Sequence, residues 1–208
     1  MSLFIRHKEA RFLLGVWRMD ESPEELSRLL DGTDLCRQAE ERFHALQRRR
    51  EWLSVRLLLR CLLGTDKEIV YLPSGKPCLA DGSFHISISH TRDYVALILG
   101  ETEVGIDIEH YATRVRRIVS RFMRADEHPV AYQGDDTWSL LLHWSAKEVM
   151  FKCIDRSEVD LCTHLQVFPF VPQERGEFRA REYRTEQQRM FLIRYLLHPD
   201  FVLTWTVS

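Results

Sequence analysis

Three apolar segments follow one another closely between residues 84 and 108, and they constrain the fold more than any other feature of the chain. In the first segment, 84–90, apolar and polar residues alternate with the period of a half-buried strand. The next two segments, 94–99 and 104–108, are almost wholly apolar, and a short turn separates them. Connections this short join antiparallel neighbours. The sequence therefore predicts an antiparallel meander of three strands.

Helical patterns precede this meander. Ser22, which is followed by a proline and by Glu25, forms a capping-box sequence and predicts the start of a short helix. Apolar residues then recur every three or four positions over about 35–63, which predicts one long helix that ends at Gly64. Strands are predicted on either side of these helices, at 12–19 and 69–72.

The second half of the chain shows a similar succession. Helices are predicted over 114–123 and 137–154. The second of these has an apolar stripe made of Leu140, Leu141, Trp144, Phe151 and Ile154. Strand-like segments follow at 165–170, 190–197 and 201–207, with a hairpin turn at 198–200. Two such rounds predict an α+β fold with two similar subdomains, 1–104 and 105–208, that share one interface.

Composition places the chain among ordinary globular proteins. It has 208 residues, of which 45% are hydrophobic, and its 29 basic and 31 acidic residues give a formal charge of −2. These values argue against a disordered, collagen-like or coiled-coil chain and against a nucleic-acid partner. The five cysteines form no Cys-x-x-Cys pair, which favours reduced thiols. Without a signal-peptide core or an apolar run of about 18 residues, we expect a soluble, cytoplasmic protein with no membrane partner.

Two acidic residues on one predicted strand are candidate metal ligands. Asp107 and Glu109 are two positions apart, so in a strand they share one face and lie about 6 to 7 Å apart along it. Ile106 and Ile108 would then point to the opposite face. Both carboxylates can reach one cation, although two acids on a strand are also typical of a solvated face or a strand edge.

A second pair of charges lies on the predicted helix 137–154. Glu148 and Lys152 are four positions apart and are therefore neighbours on the helix surface, where an exposed ion pair is the simplest interpretation. Together with Asp107 and Glu109, however, Glu148 completes a set of oxygen ligands of the kind that Mg²⁺ or Mn²⁺ prefers. Lys152 would then be a positive charge for substrate phosphates.

Two further features suit a phosphate-bearing substrate. His90 ends the predicted strand 84–90 beside Ser89, and a lone histidine suits hydrogen bonding to a phosphate better than zinc binding. The predicted helix 35–63 is rich in arginine, at Arg48, Arg49, Arg50, Arg56 and Arg60. A solvated helix face is the simpler explanation of these arginines.

Four motifs occur in order: Gly75-Lys-Pro77, Phe84-x-Ile-Ser-x-Ser-His90, Gly105-Ile-Asp-Ile-Glu109 and Trp144-Ser-x-Lys-Glu-x-x-x-Lys152. In this order and at these intervals they resemble the signature of the 4′-phosphopantetheinyl transferases, in particular the larger, Sfp-like type. The resemblance covers residues 48–152. It implies two α+β subdomains related by a pseudo-two-fold axis, and a monomer whose internal pseudo-dimer completes the active site.

The resemblance also implies an activity. The enzyme would transfer the phosphopantetheine arm of coenzyme A to a serine of an apo acyl or peptidyl carrier protein and release adenosine 3′,5′-bisphosphate. Asp107, Glu109 and Glu148 match the positions that hold Mg²⁺ against the pyrophosphate. Glu148 also matches the proposed general base. Glu127 matches a further acidic position, for which a role as base or as structural residue stays open.

The remaining matched positions would contact coenzyme A. His90 and Lys152 match pyrophosphate contacts, with the Ser89 hydroxyl beside them. The 3′-phosphate or adenine side would be bound by three basic residues: Lys76, Arg49 and Arg56. The carrier protein would dock in an apolar groove between the two halves, for which residues 113–123, following the strand with the acidic residues, are the candidates.

Two other functions are compatible with the same residues. A Mg²⁺-dependent hydrolase could use the acidic residues to cleave the pyrophosphate of coenzyme A or of a nucleotide with water. Alternatively, the acidic residues could be a solvated patch on a non-catalytic module that binds nucleic acid through the arginine-rich helix. The near-neutral net charge counts against this second alternative.

Overall fold

The predicted antiparallel strands are present, but they are divided between two sheets. A computed structural model describes residues 3–154 and 158–208 of the chain, and its mixture of helices and antiparallel strands confirms the predicted α+β class. The chain divides into two units, the first ending at Thr102 and the second spanning Glu103–Ser208. Each unit has its own hydrophobic core. The pseudo-two-fold relation between the units stays a prediction.

The first unit combines helices with a four-stranded sheet. Its elements are β1 (Leu3–Lys8), β2 (Phe12–Arg18), α1 (Pro23–Leu29), α2 (Thr33–Arg42), α3 (Leu46–Leu63), β3 (Ile69–Tyr71), β4 (Pro77–Leu79), β5 (His85–Thr91) and β6 (Tyr94–Gly100). The sheet has the order β1-β2-β6-β5, and β3 pairs separately with β4. Helix α3 packs on β2 and β6, because one of its faces is apolar and buried.

Two local signals in this unit are confirmed. Ser22 caps α1, accepting a hydrogen bond from the backbone N–H of Glu25, whose side chain accepts one from the backbone N–H of Ser22. Gly64 ends α3 in the left-handed conformation, with φ of 73°, which a glycine adopts without steric cost. Both signals involve neighbours in sequence, which is why the sequence alone reveals them.

The single helix predicted over 35–63 is wrong, because the chain leaves the helical conformation at 43–45. Phe43 has extended backbone angles, φ −133° and ψ 127°, and ends α2. The Nε of Arg49 donates a 2.7 Å hydrogen bond to the carbonyl oxygen of Phe43. This side chain thereby satisfies a backbone acceptor at the break, a contact that apolar spacing does not encode.

The second unit places one long helix against a five-stranded sheet. Its elements are β7 (Val104–His110), a 3₁₀ segment (Thr113–Arg121), α4 (Thr137–Ile154), β8 (Leu165–Val167), β9 (Arg175–Glu182), β10 (Met190–His198) and β11 (Phe201–Val207). The strand order is β7-β11-β10-β9-β8. The predicted hairpin between β10 and β11 is confirmed.

The third strand of the predicted meander does not belong to it. Strands β5 and β6 pair as predicted, but β7 pairs with β11, which is the last strand of the chain. The reason is that β6 already has β2 on one side and β5 on the other, so it offers no free edge. The backbone changes its hydrogen-bond partners within three residues. The N–H of Glu101 donates to the carbonyl oxygen of Arg11 in the first unit, whereas the carbonyl oxygen of Glu103 accepts from the N–H of Ser208 in the second.

Helix α4 lies very close to β7. A Cβ atom at Gly105 would be 2.8 Å from Cys153 Sγ and 3.0 Å from the carbonyl oxygen of Val149. Such distances are shorter than real Cβ contacts, so a larger residue at Gly105 would push the helix away from the strand. The glycine of the Gly105-Ile-Asp-Ile-Glu109 motif therefore sets the distance between the two elements that carry the acidic residues.

The apolar stripe predicted on α4 is only partly correct. Leu140, Leu141 and Ile154 are buried, whereas Trp144 is half-buried and Phe151 is 42% exposed. Because the sheet covers one side of α4 and the 3₁₀ segment contacts another, burial extends around most of the helix and no single face is marked.

Other differences concern short or charged segments. The helix predicted over 114–123 is a 3₁₀ segment, and the sequence did not reveal β1, β4 and β9. Charged residues in β1 and β9 hide their alternation, since only one face of each is covered. Within the described residues, no helix combines the length and apolarity that crossing a membrane requires.

Candidate active site

Strand β7 directs two carboxylates toward α4. Asp107 is 4% exposed and lies opposite Thr204 in the β7–β11 ladder, and Glu109 lies opposite Val202. The residues between and before them, Ile106 and Ile108, are fully buried. The alternation of a strand thus places both acids on the face that receives hydrogen bonds from α4.

Helix α4 contacts both carboxylates through hydrogen bonds from three side chains. Trp144 Nε1–H donates to Glu109 Oε1 at 2.7 Å, and Ser145 Oγ–H donates to Asp107 Oδ2 at 2.7 Å. Lys152 Nζ donates to Asp107 Oδ1 at 3.0 Å and to the carbonyl oxygen of Ile106 at 2.8 Å. The motifs around Asp107 and Trp144, which are distant in sequence, therefore form one hydrogen-bonded cluster.

The side chain of Lys152 bonds to Asp107. An exposed Glu148–Lys152 pair along the helix was the simplest interpretation of the sequence, but the hydrogen bonds of Lys152 go to β7. Its side chain is 26% exposed and that of Asp107 is 5% exposed, so the ion pair is largely shielded from water. Lys152 consequently neutralises part of the negative charge of the cluster.

Burial and the charge of Asp107 raise the pKa of the two glutamates of the cluster. Burial, together with the charge of Asp107, raises the pKa of Glu109 to about 7, and the hydrogen bond from Trp144 opposes this shift. Burial and the charge of Asp107 likewise raise the pKa of Glu148, while Lys152 opposes the rise. The charge of Glu148 also acts on Glu109. Asp107, Glu109 and Glu148 therefore share one electrostatic environment with an excess of negative charge.

The shifted pKa of Glu109 predicts how stability changes with pH in the absence of divalent cations. Between pH 4.5 and about 7 the folded chain retains a proton that the unfolded chain has released, so the free energy of unfolding falls as pH rises. We expect Glu109→Gln to flatten this slope and to raise the free energy of unfolding by roughly 1–3 kcal/mol at pH 8. Urea titrations from pH 4 to 8 with a chelator test this; an unchanged slope in the variant would contradict it.

A divalent cation fits the chemistry of these acids. Three carboxylates that repel one another provide hard oxygen ligands and gain from a positive charge among them. Nevertheless, no three His, Cys, Asp or Glu side chains in the described ranges 3–154 and 158–208 are arranged to hold a metal ion. The magnesium site stays a prediction.

Glu127 lies in the core, where it has a structural role. Its side chain is completely buried with that of Lys147, and their ion pair is 2.7 Å long. Glu127 also accepts hydrogen bonds from the backbone N–H groups of Arg124 (2.8 Å) and Val167 (2.7 Å). A carboxylate without exposure and with both oxygens engaged cannot take a proton from a substrate hydroxyl. This arrangement favours a structural role for Glu127.

Lys147 is a residue whose importance the sequence analysis missed. Its ammonium group donates to Glu127 and to the carbonyl oxygens of Phe122 (2.5 Å) and Leu161 (3.1 Å), so all three donors are used. Burial lowers the pKa of Lys147, and Glu127 opposes the shift. The sequence feature that could have drawn attention to Lys147 is its position next to Glu148 in the motif that begins at Trp144.

In the first unit, His90 and Ser89 lie at the end of β5. The His90 side chain is 41% exposed, and its Nε2 lies 2.9 Å from Arg48 Nη1 and 3.6 Å from Glu51 Oε2. Ser89 is buried. An exposed imidazole beside a guanidinium suits contact with an anion. The sequence analysis did not assign Arg48, whose guanidinium also forms a 2.8 Å ion pair with Glu51.

Arg56 and Arg49, both on α3, have different surroundings. Arg56 stacks on the ring of Trp52 at 3.1 Å from the ring centroid, and burial lowers its pKa to about 10. It lines a cavity of about 750 Å³ together with Arg42 and Tyr71. Arg49 is instead bonded to Phe43, with Glu40 3.9 Å away. Of these two predicted contacts, only Arg56 lines the cavity.

Lys76 lies in the turn between β3 and β4. Its carbonyl oxygen accepts a 3.0 Å hydrogen bond from the N–H of Leu72. Gly75, with φ of 86°, provides the left-handed residue that this turn requires. The turn conformation therefore explains why the Gly75-Lys-Pro77 motif begins with glycine. Lys76 itself is half-buried.

Comparison with known proteins identifies the family. A family model described as the 4′-phosphopantetheinyl transferase superfamily matches residues 103–206, which is half of the chain. The chain belongs to this superfamily. The matched residues contain the cluster of Asp107, Glu109, Glu148 and Lys152, whereas the predicted contacts of the first unit lie outside them.

Curated members of the family are similar to parts of the chain. The 4′-phosphopantetheinyl transferase psf-1 of Bacillus pumilus is 32% identical over 130 residues, which cover 56% of this chain and 54% of that protein. The 4′-phosphopantetheinyl transferase AcpT of Escherichia coli K12 is 34% identical over 112 residues, 50% of this chain and 57% of that protein. AcpT of Salmonella typhi is 44% identical over 64 residues, 30% of this chain and 33% of that protein. The chain thus matches about half the length, or less, of these family members.

Proposed function

We propose that the protein transfers the 4′-phosphopantetheine group of coenzyme A to a serine of an apo acyl or peptidyl carrier protein. The serine oxygen would form a bond to the phosphorus that carries pantetheine, and the bond from that phosphorus to the leaving adenosine 3′,5′-bisphosphate would break. The observation that supports this most directly is the cluster of Asp107, Glu109, Glu148 and Lys152 within the part of the chain that the family model matches.

Asp107, Glu109 and Glu148 would hold a divalent cation, Mg²⁺ or Mn²⁺. When bound, the cation would neutralise the charge that develops on the pyrophosphate during transfer. The raised pKa of both glutamates supports this proposal, because a bound cation would offset their burial and their repulsion by Asp107. Lys152, which already neutralises Asp107, is the second positive charge that can act on phosphate oxygens.

Glu148 would accept the proton of the carrier serine. Burial raises its pKa, which makes its carboxylate a stronger base than an exposed glutamate. Helix α4 places Glu148 three residues after Ser145 and four before Lys152, so all three lie on neighbouring turns of the same helix face. His90 and Ser89, together with Arg48, would bind the pyrophosphate from the end of β5.

The cavity lined by Arg42, Arg56 and Tyr71 would receive the nucleotide end of coenzyme A. Two guanidinium groups suit the 3′-phosphate, and the exposed ring of Tyr71 suits an adenine base. Lys76 and Arg49 stay proposed contacts at the edge of this region.

The nucleotide proposal predicts a substrate-specific defect. We expect Arg56→Ala to raise the KM for coenzyme A about tenfold, which corresponds to ~1.4 kcal/mol, with kcat nearly unchanged. For 3′-dephospho-coenzyme A the variant should equal the wild type, because the phosphate that Arg56 would bind is missing. Arg60→Ala is the matched control, since Arg60 is on the next turn of α3 and pairs with Asp31 at 2.7 Å. If Arg56→Ala raised the KM equally for coenzyme A and for 3′-dephospho-coenzyme A, contact of Arg56 with the 3′-phosphate would be excluded.

The carrier protein would dock on the 3₁₀ segment that follows β7. Arg117 and Arg121 are exposed there, and neither has an ion-pair partner in the part of the chain that the structure describes. Arg116, in contrast, pairs with Asp135 and Asp136. Unpaired positive charges next to the acidic cluster suit an anionic surface on the partner. We further propose that a single chain performs the reaction.

Intact-mass spectrometry tests the proposed reaction. An apo acyl carrier protein is incubated with the protein, coenzyme A and Mg²⁺, and a parallel sample contains a chelator. A metal-dependent mass increase of one phosphopantetheine on the carrier is expected. Loss of coenzyme A without a modified carrier would favour the hydrolase, and no change with several carriers would favour a non-catalytic binding module.

A further inference from the structure

Two buried hydroxyl groups lie behind Asp107. Ser145 on α4 and Thr204 on β11 are both completely buried, and their oxygens are 2.6 Å apart. Ser145 Oγ is 2.7 Å from Asp107 Oδ2. The β7–β11 ladder places Thr204 directly opposite Asp107, and α4 supplies Ser145 from above the sheet. Neither hydroxyl belongs to the groups assigned to the substrate.

The direction of the two hydrogen bonds follows from their chemistry. A charged carboxylate only accepts hydrogen bonds, so the single proton of Ser145 points to Asp107. The Ser145 oxygen can then only accept from Thr204, whose hydroxyl is the donor. In a site without water, a hydroxyl that accepts one hydrogen bond becomes a stronger donor in the next. Thr204 therefore strengthens the bond that Ser145 makes to Asp107.

We propose that Ser145 and Thr204 are positioning residues that fix the carboxylate of Asp107 for a divalent cation. This inference rests on the proposed function of the acidic cluster. Lys152 holds Oδ1 at 3.0 Å while Ser145 holds Oδ2 at 2.7 Å, so the carboxylate cannot rotate about its Cβ–Cγ bond. A carboxylate has about four lone-pair sites, so accepting hydrogen bonds from Ser145 and Lys152 does not prevent Asp107 from coordinating a cation.

Fixing Asp107 before a cation binds should strengthen cation binding for an entropic reason. Each acidic side chain that must become ordered when a cation binds lowers the affinity for that cation. Asp107 is held at both carboxylate oxygens, whereas Trp144 holds Glu109 at one, so ordering Asp107 before binding removes part of that entropic cost. Partners that hold metal ligands in this way typically change metal affinity by about 10- to 100-fold when they are removed.

Binding of Mn²⁺ to the whole chain, followed by electron paramagnetic resonance of the free ion, tests the inference. We expect Ser145→Ala to weaken Mn²⁺ binding about tenfold and Thr204→Val to weaken it severalfold. The double variant should bind like Ser145→Ala alone, because Thr204 acts only through Ser145. Thr204→Ser retains the hydroxyl and should restore wild-type affinity.

Thr206→Val is the matched control. Thr206 is two residues from Thr204 on the same strand and is 2% exposed, but its hydroxyl donates to the carbonyl oxygen of Leu192 at 2.9 Å. Loss of this buried hydrogen bond should lower the free energy of unfolding about as much as Thr204→Val does, without changing Mn²⁺ affinity. Equal effects of the two valine variants on affinity would overturn the inference, since a purely structural role predicts that result.

The outcomes separate this inference from the proposed function. If the wild type modifies a carrier and all variants bind Mn²⁺ as it does, the inference is wrong and the transferase proposal stands. A wild type that binds no Mn²⁺ at millimolar concentration overturns the inference as well, because no cation would then need an oriented Asp107. If Mn²⁺ affinity changes as expected while no carrier is modified, the inference holds and the transferase proposal fails.

Discussion

Asp107→Asn is expected to reduce the rate of phosphopantetheine transfer about 10³-fold, which corresponds to ~4 kcal/mol of transition-state stabilisation. The amide has the shape of the carboxylate and keeps an acceptor for one of its two donors, Ser145 or Lys152. It lacks the charge that would bind a cation and that holds Lys152 in the cluster. The rate is measured with saturating coenzyme A and an apo carrier protein.

The same variant should fold normally. Lys152 is 26% exposed at its side chain and can turn to water when its anionic partner is removed, so we expect the free energy of unfolding to fall by less than about 2 kcal/mol. Glu177→Gln, an exposed carboxylate on β9, serves as the control for loss of a negative charge. A wild-type rate in Asp107→Asn would remove Asp107 from the active site and would refute the cluster as its centre.

Lys147→Met is expected to lower the free energy of unfolding by about 3–5 kcal/mol, the largest stability effect that we predict. The substitution leaves the Glu127 carboxylate in the core without its cation. It also removes the donor for the carbonyl oxygens of Phe122 and Leu161, which lie on two separate segments. Urea-induced unfolding followed by circular dichroism measures the loss.

A second pair of variants distinguishes a structural Glu127 from a catalytic one. In Lys147→Met/Glu127→Gln no buried charge remains, so we expect the double variant to recover about half of the stability lost in Lys147→Met. Glu127→Gln alone should be destabilised, because Lys147 is then the unpaired charge. If Glu127→Gln instead abolished transfer while its unfolding free energy matched that of the wild type, Glu127 would have to be a chemical group in the reaction.

Neighbouring residues of α4 thus have two different roles, one in the acidic cluster and one in the core. Ser145 and Glu148 belong to the acidic cluster, whereas Lys147 points into the core and connects α4 to the loop after the 3₁₀ segment. A helix that is covered on most sides can serve both, because residues one position apart differ by about 100° around the axis. The expected separation of activity and stability between Asp107→Asn and Lys147→Met follows from this geometry.

Local periodicity in the sequence determined the parts of the site that depend on one element at a time. A spacing of two on a strand put Asp107 and Glu109 on the same face, and a spacing of four on a helix put Glu148 beside Lys152. The bounds of α4 are those that its pattern predicts, and the capping box at Ser22 and the stop at Gly64 are as expected. In each case the interacting residues are close in sequence.

Only the tertiary structure decided which of these elements meet. Strand β7 pairs with the last strand of the chain, because the edge that local order suggested was already occupied. That pairing places Thr204 opposite Asp107. Contacts of α4 with other segments direct Lys152 to β7 and enclose Glu127 with Lys147 in the core. Burial and long-range pairing set the partner and the pKa of a charged side chain, and neither is encoded in the spacing of residues along one element.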